Sequence, residues 1–290
     1  MAFEITNGYQ ALLAAATTGG IGRTKQTALQ TAALTFLAGA YIALGGYLAV
    51  RCGLALPWET WGSMSKLIFA AVFPLGLMLV VICGADLFTG NCMTLTAAKT
   101  QGQIGVKSSF LAGAYSWIGN FAGALFVAVC MVWASGLIFE KVGVGVDATM
   151  PWAEGLVKLA NGKTSLSFME AFWRAVGCNW LVCLAVYAAY AAKEVAGKII
   201  ALWFPTMAFV AMGMEHCIAN MFFIPAAILT GTDPRYTALV EAGKATALTA
   251  NWQTFFIDNL IPVTLGNIAG GAVLVTIVYT LVHGKLKKSA

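Results

Sequence analysis

Six apolar stretches constrain what this chain can fold into. Apart from two interruptions they contain no Asp, Glu, Lys or Arg, and they cover residues 26–50, 67–98, 110–139, 175–192, 199–232 and 259–282. A helix needs about 20 apolar residues to cross a bilayer. The chain is 60% hydrophobic and 10% charged, whereas soluble domains are about a quarter charged. The pattern predicts an all-α polytopic membrane protein with six transmembrane spans, which excludes water-soluble enzymes.

Two of the stretches are interrupted in the same way. Asp86 is followed five residues later by Asn91, and Glu215, beside His216, is followed five residues later by Asn220. Ionisable groups inside a bilayer are costly, and matched interruptions in two halves indicate a transport site at the midplane. We therefore predict that the second and fifth spans are broken helices. The alternative is that these polar groups only hold helices together.

The acids and asparagines at the two interruptions are expected to be structural. Asp86 and Glu215 would cap the half-helices by accepting backbone N–H groups. Asn91 and Asn220 would support the same breaks, as would Asn120 and Asn267 elsewhere in the chain.

A motif shared by the third and sixth spans indicates an internal repeat. G-N-x-A-G occurs at residues 119–123 and again at 266–270, and glycines four residues apart let helix backbones approach closely. We predict two three-span copies, 26–140 and 170–282, of which the second is inverted because three is an odd number of crossings. One transmembrane channel domain, 1–290, then has an amphipathic helix at 1–25, an extracytoplasmic linker at 141–169 and a cytoplasmic tail at 283–290.

Charge and cysteine content indicate location and chemistry. The density of Lys and Arg is higher on the side of the termini, which places both termini in the cytoplasm. We expect a multi-pass protein of the inner (cytoplasmic) membrane, without a cleavable signal peptide. The net charge of +5 does not indicate nucleic-acid binding. The seven cysteines lack zinc-site spacing, so we expect no disulfide, metal or cofactor.

Four segments resemble the formate/nitrite transporter family. They are A-D-L-F-T-G-N at 85–91, C-N-W-L-V-C-L-A-V at 178–186, M-E-H-C-I-A-N-M-F-F-I-P at 214–225 and D-N-L-I-P-V-T-L-G-N at 258–267. The third segment usually has serine where this chain has Cys217. The resemblance implies an aquaporin-like fold and a homopentamer with one pore through each protomer. It also implies transport of formate, nitrite or hydrosulfide, and in some cases lactate or acetate.

The resemblance assigns pore positions in this chain. Phe73, Leu77 and Phe209 correspond to apolar constrictions, and Val182 to a further lining position. Leu87, Phe88 and Thr89 correspond to the loop in the second helix, where the threonine hydroxyl faces the central His216. Lys163, Asn179 and Glu215 correspond to a polar set on the extracytoplasmic side.

These residues suggest how an anion crosses. A small anion pays a large desolvation penalty in hydrocarbon, and Lys163 would concentrate anions at the entrance. Histidine titrates near pH 6.5, so His216 is suited to lend the anion a proton between two apolar constrictions. We expect a passive or proton-coupled channel for a weak-acid anion, formate first, with protons and membrane lipids as its other partners.

Two other functions fit less well. A neutral-solute or water facilitator would gain little from a titratable group at its centre. A membrane-embedded enzyme would need a metal cluster or nucleophile constellation that the sequence does not contain, so we expect no enzymatic activity.

Overall fold

Apolar helices form almost the whole protein in its computed structural model, which describes residues 3–4, 8–144 and 148–288. The helices in chain order are α1 (Gly8–Arg23), α2 (Ala28–Gly53), α3 (Trp58–Trp61), α4 (Ser63–Val72), α5 (Leu75–Ile82), α6 (Phe88–Thr100), α7 (Val106–Phe126), α8 (Pro151–Thr164), α9 (Phe168–Ala191), α10 (Val195–Ala211), α11 (Cys217–Gly231), α12 (Pro234–Glu241), α13 (Trp252–Thr254), α14 (Ile261–Ala269) and α15 (Val278–His283).

Wider π-helical turns extend two of these helices. Val127–Ala134 continues α7, while Phe255–Leu260 and Gly270–Ile277 join α13, α14 and α15 into one rod. A 3₁₀ turn, Leu137–Phe139, follows the first of these. Two-residue strands, β1 (Phe3–Glu4) and β2 (Lys287–Lys288), pair antiparallel and bring the two ends of the described chain together.

Five helical segments are long and apolar enough to cross a membrane: Ala28–Gly53, Ser63–Ile82, Val106–Ala134, Phe168–Ala191 and Trp252–His283. α10 and α11 are apolar but shorter. The helices extend beyond the uncharged stretches; α9, for example, begins at Phe168 and includes Glu170. Charged residues are tolerated in a first turn that lies at the interface, so the uncharged stretch marks the apolar core of a helix and not its ends.

Two helix pairs pack at very short range through the glycines of the repeated motif. A Cβ added at Gly123 in α7 would lie 1.9 Å from the carbonyl oxygen of Phe36 in α2. A Cβ at Gly270, at the end of α14, would lie 2.3 Å from the carbonyl oxygen of Val176 in α9. Only glycine permits these contacts, because real Cβ atoms do not approach so closely.

One helix ends and another begins near Asp86 and again near Glu215. α5 and α10 each end just before a glycine with positive φ, Gly84 at +81° and Gly213 at +73°. The next N–H bonds back into the ended helix, from Ala85 to Val80 at 2.9 Å and from Met214 to Phe209 at 3.0 Å. This is the glycine helix stop in which the left-handed residue satisfies the last carbonyls. α6 and α11 begin four residues after these glycines.

α1 packs on the body of the protein. A Cβ at Gly20 would lie 2.1 Å from the carbonyl oxygen of Thr94 in α6, and Leu13 and Ile21 are buried. The helix ends at Arg23, close to the first interruption. The N-terminal helix expected at 1–25 therefore occupies 8–23, and residues 1–2 and 5–7 lie outside the described residues.

α8 lies across the opposite end of the protein and is fixed at several points. The Asn161 side chain accepts hydrogen bonds from the N–H groups of Thr249 (2.9 Å) and Ala250 (3.1 Å) and donates to Ala247 O at 2.9 Å. The Glu154 carboxylate accepts from Thr246 and from the Tyr236 hydroxyl at 2.6 Å. Burial raises the pKa of Glu154, but these hydrogen bonds outweigh it and lower the pKa to about 2. The anchors fix the position of Lys163 in the last turn of α8.

Candidate functional site

His216 and Thr89 meet in the interior, one from each interruption. The Thr89 hydroxyl oxygen lies 3.0 Å from His216 Nε2, and the two residues are 0% and 3% exposed. Thr89 belongs to the first turn of α6, and His216 immediately precedes α11. The two helix starts therefore bring a hydroxyl and an imidazole together in the interior of the protein.

The other ring nitrogen fixes which tautomer is present. The backbone N–H of Ala219 donates to His216 Nδ1 at 3.1 Å, so the histidine caps α11. An N–H group can only donate, so Nδ1 carries no hydrogen here. The neutral ring then carries its hydrogen on Nε2 and donates it to Thr89 Oγ1. The Thr89 hydroxyl hydrogen is left free to donate to a further acceptor.

An aromatic layer covers His216 on one side. The Phe209 ring stacks on the imidazole with centroids 5.9 Å apart, and Phe73 meets Phe209 edge-on at 6.0 Å. A cavity of about 320 Å³ extends from these two rings and His216 to α8, and we call it the α8 cavity. Its lining includes His216, Phe73, Phe209, Lys163 and Glu215.

A smaller cavity lies on the other side. It has about 150 Å³ and its lining includes Leu77, Leu87, Asn91, Thr94, Tyr190 and Arg23 of α1; we call it the α1 cavity. Leu77 lies one helical turn beyond Phe73. Apolar side chains thus form two layers around the Thr89–His216 pair. Phe73 and Phe209 form the aromatic layer at the α8 cavity, and Leu77 and Leu87 form the aliphatic layer at the α1 cavity.

The acid of each interruption forms an ion pair with a cation from a peripheral helix. Glu215 Oε1 lies 2.9 Å from Lys163 Nζ of α8, and the two side chains are 4% and 13% exposed. Asp86 Oδ2 lies 3.6 Å from Arg23 Nη1 of α1, and Arg23 also donates to the Ala85 carbonyl at 3.1 Å. Each cation therefore stands at the mouth of its cavity with its charge largely compensated.

Asparagine side chains support both acids. Asn91 Nδ2 donates to Asp86 Oδ1 at 2.5 Å, and Asn220 Nδ2 donates to Glu215 Oε2 at 2.6 Å. The hydrogen bonds that Asp86 and Glu215 accept in the described structure come from side chains. The expectation that they cap the half-helices through backbone N–H groups is therefore wrong, and the capping residue of α11 is His216.

Asn120 and Asn267 make matching hydrogen bonds in the two halves of the chain. Asn120 accepts the Phe88 N–H at 2.8 Å and donates to Asp86 O at 2.9 Å and to α2 at Thr35 O. Asn267 accepts the Cys217 N–H at 2.9 Å and donates to Glu215 O at 3.0 Å and to α9 at Ala175 O. Each amide binds the first N–H of a half-helix and the carbonyl of the acid two residues before it.

Four of the expected pore residues are not part of either cavity wall, and the first of them is Thr89, whose hydroxyl contacts His216. Asn179 is fully buried and donates to the carbonyls of Thr89 (3.1 Å) and Asn267 (2.6 Å), so it holds the Thr89 loop from behind. Val182 is 1% exposed and is not part of either cavity wall. Phe88 lines a separate apolar groove beside α7 and α14.

Two supporting residues were missed in the sequence. Asn259 donates to Lys163 O at 2.9 Å and to Glu215 Oε2 at 3.3 Å, so it joins α8 to the second interruption. Ser116 donates to Asp86 Oδ1 at 3.1 Å. Asn259 could have been found, because it is a polar residue in the D-N-L segment at the start of the apolar sixth span. Nothing in the sequence around Ser116 indicates its role.

In the described part of the chain, no three His, Cys, Asp or Glu side chains lie close enough together to bind a metal ion. Cys92, Cys178, Cys183 and Cys217 are buried among the helices as free thiols.

Long apolar helices around a buried histidine with a cavity on each side define the class of this protein, a membrane channel or transporter. The formate/nitrite transporter family model matches residues 10–281, and the chain belongs to that family.

Two relatives and one solved structure are described as formate transporters or channels. The chain is 44% identical over 262 residues to a probable formate transporter of Methanothermobacter thermautotrophicus, covering 85% of this chain and 86% of the relative. It is 38% identical over 266 residues to the formate channel BtFdhC of Bacillus thuringiensis, covering 92% of each. A solved pentameric formate channel with formate bound superposes with a TM-score of 0.73 at 29% identity, covering 89% of this chain and 99% of that one.

Proposed function

We propose that this protein conducts small monovalent weak-acid anions across a membrane, formate before the others, and that His216 handles the proton. The observation that supports this most is the Thr89–His216 pair, enclosed between apolar layers with a cavity on either side. Two relatives described as a formate transporter and a formate channel make formate the first choice.

The proposed topology has six crossings in two inverted copies. α4, α5 and α6 together form the broken second span, and α10 and α11 form the broken fifth. The matched roles of Asn120 and Asn267 support two copies, because each binds one half-helix start, one acid carbonyl and one neighbouring helix. Both termini would lie in the cytoplasm, so that the α8 cavity opens on the extracytoplasmic side of the inner membrane and the α1 cavity on the cytoplasmic side.

The apolar layers make the charge state of the permeant decisive. Bare anions are strongly disfavoured in a low-dielectric passage, whereas the neutral acid crosses a ring of Phe73 and Phe209 at far lower cost. Lys163 and Arg23 border the two cavities, each paired with the acid of its interruption. The anion would then need a proton at the point where the passage becomes apolar, and His216 is the titratable group at that point.

The hydrogen bonds of His216 suggest how the proton moves. The Nε2 hydrogen is directed to Thr89 Oγ1, and the Thr89 hydroxyl hydrogen is available to an anion oxygen. An incoming proton would bind Nδ1 in place of the Ala219 N–H. The ring would then pass its Nε2 hydrogen through Thr89 to the anion, and the neutral acid would continue to the other cavity. Proton delivery is therefore coupled to uncapping of α11.

Nitrite and hydrosulfide are the nearest alternatives, followed by lactate and acetate. All are monovalent weak-acid anions, and one extra group in an apolar passage is worth only about 1–3 kcal/mol of discrimination. A neutral-solute or water facilitator is the remaining alternative. Such a pore would not need the ion-paired Lys163 and Arg23 or the titratable His216.

Flux into proteoliposomes separates these functions. With a panel of formate, nitrite, hydrosulfide, acetate, lactate and chloride at two pH values, we expect formate to be carried fastest and faster at the lower pH. Chloride serves as the control because it cannot be protonated in this range. Rapid water flux with no anion flux would contradict the proposal.

We also propose that the protein forms a homopentamer. The similar solved channel is described as pentameric, and many large apolar side chains lie on the surface of the single chain, including Leu29, Phe110 and Leu281. Native mass measurement of the detergent-solubilised protein should give five copies of the 30.5 kDa chain. A stable monomer or trimer would rule the pentamer out.

A further inference from the structure

Three basic side chains line the α8 cavity, and two of them are already neutralised. Lys158 Nζ lies 2.9 Å from Glu154 Oε1, and Lys163 Nζ lies 2.9 Å from Glu215 Oε1. The third is Arg174, which is exposed in the second turn of α9. Its side chain forms no hydrogen bond or ion pair with the part of the protein that the structure describes. Among the described residues of the cavity wall, Arg174 is therefore the one whose positive charge is uncompensated.

The surroundings of Arg174 leave its guanidinium available. The acid nearest on the same helix is Glu170, one turn earlier, which acts on Arg174 only through its electrostatic field. The Glu170 carboxylate is held instead by Ser167, through its N–H at 2.9 Å and its hydroxyl at 2.7 Å. The Arg174 backbone carbonyl accepts the N–H of Glu215 at 3.4 Å, which fixes this residue beside the second interruption.

The opposite mouth has no equivalent charge. In the first half, the N–H of Asp86 donates to the carbonyl of Leu34 at 3.0 Å, which makes Leu34 the counterpart of Arg174. Among the described residues that line the α1 cavity, the basic one is Arg23, and it is paired with Asp86. An unpaired basic side chain therefore lines the α8 cavity, and the first half of the chain has no counterpart of it among the described residues.

We propose that Arg174 binds the permeating anion at the outer end of the α8 cavity before the anion reaches the Lys163–Glu215 pair. This inference rests on the proposed anion transport. An arginine fork donates two parallel hydrogen bonds to a planar group with two oxygens. The site therefore favours carboxylates and nitrite over hydrosulfide, which has one acceptor atom and cannot be held in this way.

Replacing the charge should change capture more than passage. Arg174→Gln should raise the half-saturating concentration for formate uptake into intact cells about five- to tenfold at low ionic strength, while the maximal rate changes less than about twofold. The difference should shrink as salt screens the charge. Arg174→Lys should keep the salt dependence but recover formate affinity only in part, because an ammonium lacks the planar fork. Hydrosulfide uptake by Arg174→Lys should equal that of the parent protein, because hydrosulfide does not use the planar fork.

Lys158→Gln is the matched control, since it removes the same charge from the same cavity wall at a residue already paired with Glu154. It should leave the half-saturating concentration within about twofold of the parent value. Equal effects of the two glutamine variants, or an Arg174→Gln effect that does not change with salt, would overturn this inference alone. A parent protein that carries no anion would overturn the proposed function with it.

Discussion

His216→Asn should reduce formate flux by about two orders of magnitude or more, because general acid–base groups typically contribute 10²- to 10⁴-fold. Asparagine is a preferred helix N-cap, so it can accept the Ala219 N–H that the imidazole accepts in the parent protein. Folding and assembly should therefore survive, and the loss should come from the missing titration. Flux in proteoliposomes at several pH values measures the effect, and size-exclusion chromatography reports the assembly.

The chain offers a matched control for this variant. His283 is the other histidine of the chain, stacked between the Tyr9 and Tyr279 rings at centroid distances of 5.8 Å, remote from both cavities. His283→Asn should carry formate at the parent rate. Chloride flux should be the same in both variants as in the parent protein, because an anion that is never protonated does not need the relay. If His216→Asn carries formate at the parent rate with the parent pH dependence, His216 serves only to cap α11.

The acid and the asparagine five residues after it marked the two places in the sequence where one helix ends and another begins. Gly84 and Gly213 adopt positive φ at these places. The repeated G-N-x-A-G motif predicted close helix contacts, which Gly123 and Gly270 make. These features are encoded within a few residues, so a single sequence is enough to show them.

The direction of the side chains at each interruption was less accessible. His216 has extended backbone angles, φ −117° and ψ 116°. Successive side chains in an extended segment point to opposite sides, so Glu215 faces Lys163 while His216 faces Thr89 and Phe209. The partner of the Glu215 carboxylate is Lys163, which lies 52 residues earlier in the chain.

Apart from the Thr89–His216 contact and the polar set that the resemblance implied, contacts between distant segments could not be predicted. Arg23 lies 62 residues from the Ala85 carbonyl that it binds, and Asn259 lies 96 residues from the Lys163 carbonyl. No periodicity relates such pairs, because the packing of α1 and α8 on the body of the protein brings them together. The cations at the two mouths were therefore visible as residues but not as partners of the acids.

Asn267→Leu should cause the largest loss of stability among single substitutions at the site. Leucine has a similar volume, so the change leaves the Cys217 N–H and the Glu215 carbonyl buried without their partner. Each buried unsatisfied group costs about 1–3 kcal/mol, which together lowers the melting temperature by roughly 5–15 °C. Thermal unfolding of the detergent-solubilised protein, followed by intrinsic tryptophan fluorescence, measures this shift.

Two further variants show whether the loss comes from the matched architecture. Asn120→Leu removes the corresponding bonds to Phe88 and Asp86 in the first half, and it should destabilise the protein to a similar degree. Asn251→Ala removes an exposed cap at the start of α13 and should cost only about 1 kcal/mol. If Asn267→Leu melts within about 2 °C of the parent protein while Asn120→Leu does not, the two asparagines are not equivalent. The support for two inverted copies would then rest on the glycine contacts alone.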